Sequence, residues 1–412
     1  RPSRYRCSHR IYRLRRCCAI SVSQKIKRDR YFWTVALQTV CVNIFLGSFG
    51  PSQPLLRADQ GTSLTIAGLH GTALGLASIL AGMANPHLAH RFGRPMTAWI
   101  GLGFFSVGLI AFVASPTVLF SIPAALLAGF GVSITINNAI TAITTRYKEL
   151  SPMALTQANA IASCGYVAGT LIVGSIATNF RDLWRFGMLL ALPLIAFLFF
   201  ILRDKSQEVH TPHEDGPQSG KLSRTFWLSW IGYVACLASE FAIAFWAAAL
   251  IINRTGASPA ISTLTVVALG TGMALGRWYG GRILKRWELD TQLNIFIAIQ
   301  GVGFTILWFS HNLQLSFLGI LIAGLGISNQ FALASLRMIG FSDNRPDLAI
   351  GRSSTAAGLA IGGSPFLLGL LGDQFGISRA YLMVPVLIFI AYLIVKIAPS
   401  QVPHKVLEDN EL

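Results

Sequence analysis

Acidic side chains are scarce in this chain, with seventeen Asp and Glu against thirty-three Lys and Arg, and charged residues of both signs make up only 12% of the total. An ordinary soluble fold carries about a quarter charged residues, so the shortage argues against a water-facing surface over most of the molecule. Cysteine is sparse too. Cys7, Cys17 and Cys18 cluster near the start and Cys41, Cys164 and Cys236 stand singly, a spacing that makes neither a disulfide framework nor a metal site. No glycine-rich phosphate-cradling loop occurs, so transport driven by ATP hydrolysis within this chain has no support. His210 and His213, beside Glu214 and Asp215, fall in a Pro-containing polar stretch and read as solvated linker. No enzyme, metal or cofactor is expected.

Apolar residues are abundant: 53% of the chain is hydrophobic and the mean hydropathy is +0.57. A helix needs about 20 apolar residues to cross a bilayer, and backbone polar groups in lipid must be satisfied within the segment. Twelve such runs lie near 31–56, 64–85, 96–114, 117–145, 154–178, 183–202, 226–252, 259–282, 292–310, 313–339, 348–371 and 378–398. The expected fold is an all-α membrane protein of twelve spans in two six-helix halves, 31–202 and 226–398. A polar linker over 203–225 joins them, and a tail follows at 399–412. The first thirty residues form a basic arm without the apolar core of a secretory signal, expected to be disordered.

An even number of spans places both termini on one side. Counting from an inside N-terminus, 28 of the 33 Lys and Arg fall on the same side as the termini, so both termini and the linker are expected in the cytoplasm, with the chain in the cytoplasmic membrane. Basic residues spread over many loops meet lipid head groups and obey topology; a nucleic-acid site would need one clustered patch, and none is expected.

Only one acidic residue, Glu240, falls deep inside an apolar run, in Trp230–Leu250. Ionisable groups at bilayer depth are costly and usually face a bundle interior or water. Two readings stand: a neutral carboxyl bonded to a neighbouring helix, or a site that loads and releases a proton, coupling transport to a transmembrane proton gradient. At about 1.5 Å per residue, Glu240 lies roughly 21 Å from the inner start of its run and His70 roughly 9 Å from the outer start of its own, so the two share a depth and form a candidate relay or outer gate.

The loop after the second run reads Gly82-Met-Ala-Asn-Pro-His-Leu-Ala-His90-Arg91-Phe92-Gly93-Arg94-Pro95. It resembles the signature loop of the major facilitator superfamily, with His90 where that family usually has Asp. A weaker copy six helices on, Gly272-Met-Ala-Leu-Gly276-Arg277 continuing to Gly281-Arg282, also lacks the acid. The run holding Gly362, Pro365 and Gly369 is similar to the family's small-residue eleventh helix, where close packing and a Pro kink serve rocking motions. The fifth run lacks the Gly-Pro pair of the family's drug/proton antiporters.

The resemblance implies alternating access around a central cavity lined by helices one, four, seven and ten. Candidates on those helices are Gln38 and Asn43, Asn137 and Asn138, Glu240 and Trp246, and Asn329 and Gln330; interhelical polar glue is the alternative for each amide. His90, Arg91 and Arg94, with Gly82 and Gly93, would make a cytoplasmic gate loop, with Arg277 and Arg282 in its second copy. The implied function is secondary transport of a small organic solute by a monomer in contact with membrane lipids. Multidrug efflux and a non-transporting sensor or scaffold are the alternatives.

Overall fold

The computed structural model describes residues 28–50, 52–147, 151–202, 220–258, 261, 264–280, 287–343 and 345–400. Most of the basic arm, most of the linker, the tail beyond 400, and Gly281 and Arg282 of the second loop copy lie outside the described residues.

Regular structure among the described residues is entirely helical. The main helices are α1 (Arg30–Phe49), α2 (Leu64–Phe92), α3 (Arg94–Ala114), α4 (Val118–Tyr147), α5 (Ser151–Asn179) and α6 (Ala191–Leu202), the last led in by a 3-10 stretch over Arg181–Leu190. The second set is α7 (Arg224–Thr255), α8 (Thr265–Leu275), α9 (Leu289–Phe309), α10 (Leu313–Ile327, resuming as Gln330–Gly340), α11 (Pro346–Phe375) and α12 (Met383–Ile397). Among the described residues, eleven helices are long and apolar enough to cross a membrane. The expected run that falls short is 259–282, where α8 and a π turn over Gly276–Gly280 are all that is described. Side-chain caps start several helices: Asp29, Ser63 and Ser223 accept from the backbone N–H groups of Phe32, Ile66 and Phe226, satisfying donors that a helix start leaves open.

Alternation of the spans puts Arg30, Leu202, Arg224 and Ile397 on one face, called the terminal face below; the opposite one is the far face. Large apolar side chains such as Phe104, Val107, Phe120, Phe200, Phe309 and Phe389 are exposed around the bundle, as lipid contact requires.

The buried core is divided unequally between the two faces. Toward the far face one continuous cluster joins the halves, with Phe45, Phe49, Phe105 and Phe112 of the first packed with Phe245, Trp246, Leu250 and Tyr381 of the second. Toward the terminal face it splits in two: Phe32, Val35, Ala139 and Ile143 belong to the first half alone, and Phe226, Tyr233, Met338 and Val395 to the second alone. Among the described residues the core is therefore closed across the halves on the far side and parted between them on the terminal side.

The most extensive contact between the halves is α2 on α11. It runs from Leu64 to Ile79 and depends on missing side chains: a Cβ on Gly75 would lie 2.4 Å from the Gly358 carbonyl oxygen and 2.5 Å from the Gly362 nitrogen. Gly68 and Gly71 meet Pro365 of α11, Gly369 approaches Leu64 of α2, and Thr72 Oγ1 donates to the Gly362 carbonyl at 3.0 Å. At the far end the Asp373 carboxylate accepts from the Leu64 N–H at 2.9 Å and the Thr65 N–H at 2.7 Å. A carboxylate thus caps the positive end of a helix from the other half.

α2 and α11 end in matching turns, at Gly93 (φ 76°, ψ 154°) and Gly376 (φ 80°, ψ 149°), both in the positive-φ region that favours glycine. Three residues before each stands a different side chain, Asp373 on the far face and His90 on the terminal face. His90 is exposed and makes no hydrogen bond to the described residues.

On the terminal side of the second half, Arg337 of α10 is only 2% exposed. It donates to Asp290 Oδ1 at 3.0 Å, to Ser229 Oγ at 3.0 Å, and to the carbonyls of Ile394 and Ala398. Sequence arithmetic counts Arg337 among loop cations; the structure makes it a buried tie between α7, α9, α10 and the end of α12.

Two expectations follow. Arg337→Met leaves Asp290 without its buried partner and should cost about 3–5 kcal/mol, read as a lower thermal midpoint of the purified protein in detergent. Gly75→Val should force α2 off α11; spin labels at Thr62 and Gln374, with native cysteines replaced, should report a longer and broader distance across the far face than in the Gly75 parent.

Candidate functional site

Where the two halves part, two helices of the second half lose their regular form side by side. α8 passes into the π turn Gly276–Gly280, and α10 breaks between Ile327 and Gln330. The irregular stretches satisfy each other: Asn329 Nδ2 donates to the Gly276 carbonyl at 2.9 Å and to Ser328 Oγ at 3.1 Å. Irregular backbone within a membrane bundle is tolerated where protein or a watery cavity takes up the freed groups.

Arg277 fills that junction. Its Nε donates to the Ser328 carbonyl at 3.2 Å, in the break of α10, and its Nη1 reaches Ser163 Oγ of α5, in the other half, at 3.5 Å. Ser163 lies roughly 18 Å along α5 from its terminal-face start, taking about 1.5 Å per residue. The expectation that Arg277 belongs to a loop copy at the membrane surface is therefore corrected. The helical path continues through it, and the guanidinium turns inward because the broken helix offers it a carbonyl.

Glu240 of α7 faces the same junction. It is partly exposed, has no hydrogen bond or ion pair with any described residue, and lies within electrostatic range of Arg277. Tyr166 of α5 is within range of both, and Tyr233, about two turns nearer the terminal face on α7, is bonded to Ser353 of α11. Gly270 of α8 packs against Tyr166 and Val167, closing the first and second halves just beyond the charged pair. A carboxylate, a guanidinium and a phenol from three helices thus converge where the closed core begins.

His70 is elsewhere. It is buried in the far-side core, its Nε2 bonded with Ser121 Oγ at 2.8 Å and its Nδ1 with the Ala67 carbonyl at 3.2 Å, between the rings of Phe49 and Phe112. No contact joins it to Glu240, so shared depth does not make them partners.

The amides divide by position. Asn138 donates to Asn85 Oδ1 at 2.6 Å and to its own helix at Ile134, tying α4 to α2. Gln330 donates to Gln300, and Gln300 to Ser239, linking α10, α9 and α7 inside the second half. Gln38 points into a cavity within the first half. Asn43 bonds back to the Thr39 carbonyl, and Asn43 and Asn137 are part-exposed on α1 and α4. Trp246 is fully buried and donates to the Pro365 carbonyl at 2.8 Å, so it braces α11 in the far-side closure. Gly272 and Gly276 pack against α10. Arg91 lies over the Phe92 ring, and His90, Arg91 and Arg94 are exposed, with no hydrogen bond or ion pair to the described residues of the other half. Gly82 is part-exposed on α2.

Sequence reasoning missed Arg277 as a counter-charge and Asp373 as a cap. The signal for the first was the absence of a polar neighbour before Arg277, masked by Arg282, Lys285 and Arg286 after it.

Comparison with known proteins agrees with this architecture. The family model described as Major Facilitator Superfamily matches residues 35–338. Among solved structures, the chain is similar to a bacterial homologue of the human lysosomal transporter Spinster in an inward-facing, occupied conformation, with a TM-score of 0.69 at 14% identity over 90% of this chain and 95% of that one. It is also similar to a single-residue mutant of the nucleoside transporter NupG, with a TM-score of 0.71 at 10% identity over 90% of this chain and 99% of that one. No curated protein matches it in sequence. With twelve apolar runs in two halves, a centre built of broken helices and a family model that covers most of its length, the chain belongs to the major facilitator superfamily of multi-pass secondary transporters.

Proposed function

We propose that this protein couples movement of a small organic solute to movement of protons, with Glu240 as the proton site and Arg277 as its counter-charge. The observation that carries the reading is the Glu240 carboxylate, unbonded and part-exposed where the two halves part, facing a guanidinium held by both halves. Groups already locked in hydrogen bonds cannot change protonation cheaply; Glu240 has no such bonds to lose.

The charges dictate the order of events. With the cavity empty, Arg277 offsets an ionised Glu240. A solute whose carboxylate or hydroxyl oxygen engages Arg277 weakens that compensation, and Glu240 then binds a proton more readily. Binding of solute and proton is reciprocal, since each raises the affinity for the other. A neutralised pair crosses the closed state with less desolvation cost than a lone charge. Proton and solute therefore travel together, as in symport. The solute class is a small polar organic molecule with an oxygen acceptor.

Charge supports the terminal face as cytoplasmic: leaving aside Arg277 and Arg337, which turn into the bundle, 26 of the other 31 Lys and Arg fall on that side. The halves at 31–202 and 226–398 are taken as the moving bodies and the polar stretch 203–225 as their linker, in a monomer of the cytoplasmic membrane. The parted terminal side then makes this an inward-facing state.

Proteoliposomes with an internal pH dye test the reading against sugars, amino acids, organic acids and drugs. The wild type should move protons in response to one class of solute. Glu240→Gln should lose that proton movement to the level of protein-free liposomes while keeping solute exchange between labelled and unlabelled pools. Proton movement in Glu240→Gln equal to wild type would remove Glu240 from the coupling.

A further inference from the structure

A second polar site lies away from the interface between the halves, inside the first half. The terminal-face ends of α1, α3, α4 and α6 enclose a cavity of about 50 Å³, lined among others by Arg30, Tyr31, Gln38, Arg94, Trp99 and Asn138. That is room for roughly four water-sized groups. Its depths are polar and unsatisfied. Asn138, 2% exposed, spends its Nδ2 on Asn85 and Ile134 and leaves Oδ1 without a partner. Gln38, 3% exposed, makes no hydrogen bond to any described residue. A buried acceptor left unpaired costs about 1–3 kcal/mol, so the bare Asn138 oxygen, beside an unbonded Gln38 at the same cavity, is poorly explained as packing.

The mouth is cationic. Arg94 lines it, exposed and without a hydrogen bond to any described residue, while Arg30 is anchored on the Ile201 carbonyl. Arg146 lies over the Tyr31 ring at 4.8 Å and pairs with Asp29, the one acid in the group. Three guanidiniums against one carboxylate leave a net positive rim around a hydrogen-bonding interior. Arg suits phosphate oxygens through paired, planar donors, and the free Asn138 oxygen needs a donor such as a hydroxyl.

We infer that this cavity binds a hydroxyl-bearing phosphate ester, with the phosphate at Arg30 and Arg94 and the hydroxyl against Asn138 and Gln38. Basic pockets between helix ends commonly take anionic lipid head groups. A phosphatidylglycerol head group and a soluble glycerol phosphate present the same chemistry. The inference is independent of the coupling role given to Glu240.

Native mass spectrometry of the full chain in detergent, titrated with phosphatidylglycerol, phosphatidylcholine or glycerol phosphate, distinguishes the sources. Phosphatidylglycerol should bind in preference to phosphatidylcholine, and Arg94→Gln and Gln38→Leu should each weaken it by about tenfold. Arg91→Gln, which removes a neighbouring exposed charge outside the cavity, should leave it unchanged. Displacement by glycerol phosphate would assign a soluble ligand; binding that resists displacement would assign the lipid. Equal loss in Arg91→Gln and Arg94→Gln would reduce the effect to general surface charge and overturn the site, as would binding that ignores both Arg94→Gln and Gln38→Leu. Thermal midpoints of each variant guard against misfolding, and Arg94→Gln, being exposed, tests the site even if Gln38→Leu fails to fold.

Discussion

The close approach of α2 to α11 is the constraint on which the rest of the structure depends. Two helix backbones can meet over four turns only where side chains are missing from both, and Gly75 against Gly358 and Gly362 supplies that gap. Once the two backbones touch, the aromatic residues around them have little choice. Phe49 and Phe245 meet across the halves at 6.2 Å between ring centroids, and Trp246 is pinned to the Pro365 carbonyl. The same contact sets where the core must end. Toward the terminal face the described core splits into one cluster per half.

Charged groups inside the bundle separate into two kinds by how fully they are satisfied. Arg337 has its donors committed to Asp290, Ser229 and two carbonyls; such a group holds helices together and gains nothing by moving. Arg277 spends its bonds on a broken helix and on a serine of the opposite half at the limit of hydrogen-bond length, and the carboxylate it faces has none. Low dielectric penalises both kinds equally when they are left bare. An incompletely bonded pair at the seam between two rigid bodies is where a bound solute can supply what is missing.

Much of this was legible in the residues. The eleven described spans and the isolated acid at 240 follow from hydropathy and charge alone, because lipid imposes a simple length and composition rule on every span. The faces of helices were not legible. Gln38, Asn138 and Gln330 sit on helices expected to line a centre, yet their side chains bond or point within their own half, a rotation about the helix axis that composition does not encode. Arg277 was hidden by position, since a cation near the end of an apolar run reads as loop unless a neighbouring helix is known to break and offer it a carbonyl. Asp373 was hidden by distance: its partners are the amides of Leu64 and Thr65, some three hundred residues earlier. The His70–Glu240 pairing rested on depth along two helices, and depth carries no information about which side of the bundle a residue occupies.

The matched turns at Gly93 and Gly376 give the molecule two doors hung on the same hinge but fitted with different locks. On the far face Asp373 grips the start of α2, while on the terminal face His90 bonds to none of the described residues. A charge at a helix N-terminus is worth about 0.3–2 kcal/mol, enough to tilt a two-state population roughly twofold to thirtyfold. The cap therefore favours the arrangement described here, in which the core joins the halves on the far side. Two like turns thus carry unlike duties: the one followed back to Asp373 is a latch between the halves, and the one followed back to His90 is a bare turn among the described residues.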